Sequence, residues 1–369
     1  MKHTKNFSKL NRIIRILKLS RLWIRSKYDI PYLVFYTTTI CNSKCRHCFI
    51  WDELNDSPGT LKLEELEKIS KNIGKMYFLT FGGGEPFLRR ELPEFAKLFH
   101  DNNDVQFISI PTNALQPQFT KKQVEKMLQY CPNTSIRIIL SLDGLKEQHD
   151  HIRGVKGNWE KYVQTYKELS PLRQKYPNFE LLTGTAFSGY NYHNAKEIHD
   201  YISENFDFDS HVFEFVRGDP KEKEAKTSVG FYEDFTKYLY EKRHRYMKQR
   251  NFFGKLLYIL THETRKHVLK AAREQKQTFN CQAVKDFVVL DAKGNVRPCE
   301  YLEKDKFLGN VRDFDYSIPK VLKTYKAIAV RQHVKEKKCH CTWECAIGQS
   351  LTKDLKSYPK YLFRALLSD

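Results

Sequence analysis

Between Leu33 and Val216, apolar strand-like runs alternate with helical stretches in steps of roughly 30 residues, and this alternation restricts the fold more than any other feature. The strand candidates are 33–39, 76–81, 105–110, 136–142, 180–187 and 211–216. The helix candidates between them are 61–74, 90–102, 120–130, 158–175 and 193–205. Six strands joined in this way predict a parallel α/β sheet, because parallel neighbours need a long crossover and a helix supplies it. A chain of 369 residues with 41% hydrophobic content has room for one large domain and a smaller second one.

The first strand runs into Cys41-Asn-Ser-Lys-Cys45-Arg-His-Cys48, which gathers three of the nine cysteines into one loop. Three thiolates at C-x3-C-x2-C spacing can hold three irons of a [4Fe–4S] cube and leave the fourth open to a small chelating molecule. A zinc knuckle closed by a fourth ligand such as His47 fits the loop equally well when the loop is taken alone. One βα unit downstream, the run from Met76 to Leu88 is strand-like and passes through Gly82-Gly83-Gly84-Glu85. Glycines let a backbone approach a ligand closely, and a carboxylate can hold an ammonium. A glycine-rich turn by itself is usually a plain strand-to-helix connection, so its weight comes from following the cysteine loop.

Together the two motifs resemble the radical S-adenosylmethionine (SAM) superfamily, whose cluster loop is C-x3-C-x2-C and whose second strand ends in Gly-Gly-Glu. The position before the third cysteine is usually aromatic in that family. Here it is His47, with Phe49 just beyond. The resemblance implies an open, partial (β/α)6 TIM-like barrel with its function at the C-terminal strand ends. It also implies a [4Fe–4S] cluster on Cys41, Cys45 and Cys48, with the SAM amino group against Gly83, Gly84 and Glu85. Strand three ends at Thr112-Asn113, and strand four at Ser141-Leu-Asp143-Gly144, followed by His149-Asp150-His151-Ile-Arg153-Gly154. By the same resemblance Ser141 meets the SAM ribose, Asn113 and Asp143 line the pocket, and Arg153 pairs with the SAM carboxylate. Read only as residues, Ser and Asn there cap the next helix, and Arg153-Gly154 orders a loop.

A second cysteine group, Cys281, Cys299, Cys339, Cys341 and Cys345, lies in the last hundred residues. Phe287-Val-Val-Leu followed by Asp-Ala-Lys-Gly294 and Asn-Val-Arg-Pro-Cys299 predicts a β-hairpin that delivers a cysteine. The C-x12-G-x4-C pattern, with Leu308-Gly309-Asn310-Val311 after it, resembles the SPASM and twitch auxiliary-cluster domains. The full SPASM pattern needs seven cysteines and only five are here, so one auxiliary [4Fe–4S] cluster is expected. Its ligands are Cys281, Cys299 and two of the last three, with Cys345 favoured for its C-x3-C spacing to Cys341. Structural zinc on four of the five is the alternative. Cys131 is read as a small buried hydrophobe.

The expected organisation is a basic amphipathic helix over 1–30, the barrel over 31–218, a helical bridge over 219–277, a small α+β auxiliary domain over 278–350 and a tail over 351–369. Residues 1–28 carry nine Lys or Arg and no acid, interleaved with Leu10, Ile13, Ile14, Leu17 and Trp23. Such a helix can pack on the barrel, lie on an anionic membrane surface or capture substrate. No apolar run is long enough to span a bilayer and no signal-peptide cleavage pattern follows the basic start. A cytoplasmic enzyme, with peripheral membrane contact as one use of the N-terminus, is the expectation. Cysteines at metal spacings rather than in a disulfide framework agree with a reducing compartment.

The formal charge of +19 calls for an anionic partner or reflects solvated Lys-rich faces. Nucleic acid is disfavoured because no RNA-binding module is visible. The resemblance implies a flavodoxin- or ferredoxin-type electron donor and hydrogen abstraction by a 5′-deoxyadenosyl radical. The substrate is a peptide or small molecule, with Asp291 or Glu300 as candidate proton acceptors. A membrane-surface enzyme acting on a lipid-linked or cell-envelope sugar is the second reading. A zinc protein binding nucleic acid represents another class.

Overall fold

The computed structural model describes residues 26, 29–56, 58–244, 252–302 and 307–366. Nearly all of the amphipathic segment expected over residues 1–30 lies outside these residues. Six parallel strands form the body: β1 (Tyr32–Thr38), β2 (Phe78–Gly83), β3 (Phe107–Thr112), β4 (Ser135–Ser141), β5 (Phe179–Phe187) and β6 (Ser210–Phe215). The crossovers are α1 (Leu63–Lys71), α2 (Leu92–Asn103), α3 (Pro117–Tyr130), α4 (Glu147–Arg153) with α5 (Asn158–Leu169), and α6 (Ala195–Asn205).

The sheet does not end at β1. The predicted hairpin, β7 (Phe287–Leu290) and β8 (Asn295–Arg297), adds to β1 through a parallel β1–β7 ladder, and β9 (Gly309–Asn310) follows. One nine-stranded sheet of order β6-β5-β4-β3-β2-β1-β7-β8-β9 results. This is the partial barrel with an antiparallel C-terminal appendage. All seven residues of β1 are buried, as a strand covered on both faces requires.

Burial alternates along β2, β3, β4 and β6. Leu79, Phe81, Ile108, Ile110, Ile136 and Ile138 are fully buried, each worth roughly 1.5–3 kcal/mol against exposure. The residues between them face inward, where Thr80, Ser109, Ile139, Gly184 and Val212 line a cavity of about 350 Å³. The barrel is therefore hollow where most are packed.

Two sequence expectations need correction. The helix predicted over 158–175 stops at Leu169 and resumes as one turn over Leu172–Lys175, since Pro171 lacks the N–H that would continue the ladder. Helix α4 was not predicted, because seven mostly polar residues carry no apolar period. The charged stretch after β6, expected to be helical, holds helices in its described part. These are α7 (Val229–His244) and α8 (Phe252–Glu274), with α8 packed on the later helices α10 (Glu344–Leu351) and α11 (Tyr358–Leu366). Helix α9 (Tyr325–Lys335) lies between, capped by the Thr324 hydroxyl, which accepts from the Ala327 N–H.

Candidate functional site

The 41–48 loop is fixed by backbone contacts to α4. Lys44 N–H donates to the Arg153 carbonyl at 3.1 Å and Arg46 N–H to that of Ile152 at 3.0 Å. Gly154 follows at φ +65°, where a Cβ would lie 2.7 Å from the Lys44 carbonyl oxygen; this is why glycine stands there. On the other side the chain after β6 clasps the loop. Lys221 N–H donates to the Cys48 carbonyl and Glu222 N–H to that of Arg46, both at 2.9 Å, and the Arg46 guanidinium takes both Glu222 oxygens at 2.8 Å.

Cys41, Cys45 and Cys48 are half-buried and line the cavity. Burial pushes the Cys41 thiol up to about 11 and the Cys48 thiol up to about 12. A neighbouring cation is what would turn such thiols into thiolates at neutral pH. Arg153 Nη1 stands 3.4 Å from the Cys45 sulfur. Among the described residues no three His, Cys, Asp or Glu side chains converge as ligands of a single ion.

The glycines of β2 serve the protein's own backbone first. Gly83 has φ +95°, and a Cβ would come within 2.5 Å of the Thr38 carbonyl oxygen; at Gly84 it would come within 2.1 Å of that of Ile40. This close seating carries Glu85 into the barrel, where Thr112 Oγ1 donates to its carboxylate at 2.8 Å, Asn113 N–H at 2.7 Å and Phe87 N–H at 3.1 Å. Burial raises the Glu85 carboxyl above its usual range, against these donors. Gly83, Gly84, Glu85, Asn113, Ser141, Asp143 and Arg153 all line the same cavity as the three thiols.

Within this cavity Arg153 has a partner from the chain itself. Its Nε is 2.7 Å from Asp143 Oδ2 in a nearly buried ion pair, so it ties strand four to the cysteine loop through Cys45. Burial drives the Asp143 carboxyl up, yet Arg153, His47 and His149 outweigh it and hold it below the ordinary value. His47 Nε2 stands 3.6 Å from Asp143, and burial lowers its own pKa. His149 accepts from the Asp143 N–H, and burial lowers it to about 3. Asp150 accepts from the Gly157 and Trp159 N–H groups and caps α5.

Of the opposite wall, sequence reasoning named Glu300 and missed Tyr36 and Arg217. Tyr36 donates to Glu300 at 2.9 Å and Arg217 pairs with Glu300 at 3.2 Å, while the Arg217 guanidinium lies 4.8 Å from the Phe49 ring centroid. Burial raises Glu300. Its fellow candidate Asp291 is occupied in the hairpin turn, accepting from the Lys293 and Asn295 N–H groups and pairing with Arg297 at 2.9 Å. The period-two rhythm of Ser210, Val212 and Glu214 could have marked Glu214 as inward. Nothing local marks Arg217.

Of the five late cysteines, Cys281, Cys299, Cys339 and Cys341 are neighbours; burial first, and then the charges of others of the four, raise the thiols of Cys281, Cys299 and Cys341. The Tyr301 and Leu302 N–H groups point at the Cys299 sulfur at 3.4 and 3.3 Å and partly offset the burial that raises this thiol. Cys345, favoured from its spacing, lies apart. The C-x3-C interval would align two cysteines only within one helix, and α10 begins at Glu344, after Cys341. Cys345 is exposed, lines the main cavity and stands 3.9 Å from Glu214. Cys131 is buried in the core.

Residues 35–202 match the family model "Radical SAM superfamily". The subtilosin biosynthesis protein AlbA of Bacillus subtilis (strain 168) is 26% identical over 90% of this chain and 70% of its own length. The Fe-coproporphyrin III synthase of Methanosarcina barkeri is 30% identical over 36% of this chain, which spans only about a third of that relative (32%). Among solved structures, anSMEcpe with bound AdoMet and the Cp18Cys peptide superposes with a TM-score of 0.58 at 20% identity, over 91% of this chain and 98% of that one, a likeness of fold. Among the described residues no helix is long and apolar enough to cross a membrane. With its three-thiol loop, its glycine-seated glutamate and a hollow parallel barrel, the chain is similar to radical SAM superfamily proteins, in sequence over residues 35–202 and in fold over most of its length.

Proposed function

We propose that the chain cleaves SAM reductively at a [4Fe–4S] cluster held by Cys41, Cys45 and Cys48, and uses the resulting radical to modify a peptide. The observation that carries this reading is that one cavity is lined by those three thiols and by every residue assigned to SAM, and extends across to Tyr36, Arg217, Glu300 and Cys345. When bound, cluster and SAM together supply a 5′-deoxyadenosyl radical that takes hydrogen from carbon. Glu85, seated by Gly83 and Gly84, receives the SAM amino group; Ser141 and Asn113 face the ribose side. Asp143 and Arg153 hold the loop and place positive charge beside Cys45. The hollow barrel keeps bulk water from the reacting carbon.

Cys281, Cys299, Cys339 and Cys341 hold the auxiliary cluster, with all four protein ligands present, which suits an electron relay. Glu300 takes the substrate proton, since it faces the cavity and burial has already raised its affinity for protons. A flavodoxin- or ferredoxin-type protein delivers the electrons. The bacteriocin named for AlbA and the peptide bound to anSMEcpe support a peptide as substrate.

Anaerobic reconstitution with iron and sulfide, followed by SAM and dithionite, tests the reading. Release of 5′-deoxyadenosine that disappears in Cys45→Ala is the expected result; equal release from that variant ends it.

A further inference from the structure

Helix α11 is apolar on two opposite sides. One side buries Tyr361 and Ala365 against Ile259, Leu256 and Leu260 of α8. At 3.6 residues per turn, Pro359, Leu362, Phe363 and Leu366 fall together on the far side, in line with Leu355 of the preceding turn. All five are exposed, with Leu355 at 61%, Phe363 at 62% and Leu366 at 63%. Exposed Lys356 and Lys360 flank this stripe on one edge, and Arg364 lies beyond them, paired with Glu263. A surface helix normally turns one apolar stripe to the core and polar residues outward. A second stripe marks a surface that something covers.

We propose that this face of α11 seats the enzyme on an anionic phospholipid surface. Large apolar side chains bordered by lysines are the composition of an interfacial helix, with the stripe entering the headgroup boundary and the ammonium groups meeting lipid phosphates. The size of the patch argues against a second copy of the chain. Nine residues rise about 14 Å, a single convex row, whereas a stable interface covers about 800 Å² per partner. The 1–28 segment repeats the chemistry, with nine basic residues, no acid and interleaved Leu, Ile and Trp. Two weak anchors on one chain give a firmer attachment than either alone. The inference is independent of the SAM reading, because it uses none of the cavity residues.

The test is cosedimentation of the full-length, iron-loaded protein with vesicles of phosphatidylcholine alone and of phosphatidylcholine with one quarter phosphatidylglycerol, at low and high salt. The expected result is binding to the anionic vesicles only, weakened by salt. The triple variant Leu362→Gln, Phe363→Gln, Leu366→Gln should bind them about tenfold or more weakly. These side chains are exposed, and unchanged circular dichroism and iron content verify that the variant is folded. Absence of wild-type binding to anionic vesicles overturns the proposal. So does equal binding by the triple variant, which would leave the attachment to residues 1–28 alone. A wild-type dimer in light scattering that the variant abolishes, without vesicle binding, assigns the stripe to a second copy and also overturns it.

Discussion

Cys41, Cys45 and Cys48 come from one short loop and open onto a cavity of about 350 Å³, whereas Cys281, Cys299, Cys339 and Cys341 are gathered from distant segments and none of them lines it. The first group is held from outside, by backbone bonds to α4 and by the Arg46–Glu222 clasp. The second is held by the hairpin that extends the barrel sheet and by the segment leading into α10. In the proposed reading, three ligands beside open space leave a position for an exchangeable molecule, and four ligands close the coordination. The same thiol chemistry would then give a reactive site in one region and a sealed one in the other.

The largest expected effects separate the two groups. Cys45→Ala should abolish 5′-deoxyadenosine release, while Cys341→Ala should keep it within about tenfold, a barrier change of about 1.4 kcal/mol, and lose its auxiliary iron. Cys345→Ser should keep the wild-type iron content. Iron assay and chromatography of the anaerobic reaction check all three, and loss of iron in Cys345→Ser would return that residue to the cluster.

Arg153→Gln leaves Asp143 buried without its partner and should cost about 3–5 kcal/mol in denaturant unfolding. Gly154→Ala forces a side chain onto a left-handed backbone against Lys44 and should cost about 1–3 kcal/mol. If both leave iron loading intact, the clasp on the open group matters less than proposed.

A smaller effect concerns Glu344, which accepts from the Phe215 N–H of edge strand β6 at 2.9 Å. Burial, aided by the Glu214 charge, raises its carboxyl from 4.5 to about 8. The folded protein then holds a proton that the unfolded chain releases above about pH 4.5, so this group's contribution to stability falls as pH rises from there to about 8. Glu344→Gln should remove that slope. Its Tm relative to wild type should therefore rise from about pH 5 to about 8, where the folded-state carboxyl of Glu344 titrates. A parallel pair of Tm curves would refute it.

The six barrel strands and most of their helices were legible because apolar runs and their spacing are local signals. The hairpin was legible for the same reason, with Gly294 at φ +89° where its turn requires it. Helix α4 was not, since its purpose is to offer carbonyls to the cysteine loop and carbonyls leave no trace in side-chain pattern. The glycines before Glu85 stood out in the sequence for close approach to a ligand, and the contact the structure gives them is with β1 and the residues just after it. The exposed far side of α11 could be read only once its buried side was known.

By itself the sequence determined the parallel α/β architecture, the three-thiol loop and the glutamate after the glycines, because each is written in residues near one another along the chain. Only the tertiary structure decided that Arg153 pairs with Asp143, that Tyr36, Arg217 and Glu300 form the facing wall, and that Cys345 lines the cavity. Those outcomes depend on where a helix begins and on which segments meet across the sheet. Spacing along a chain sets which side chains can share a face only within one regular element, and packing sets the rest.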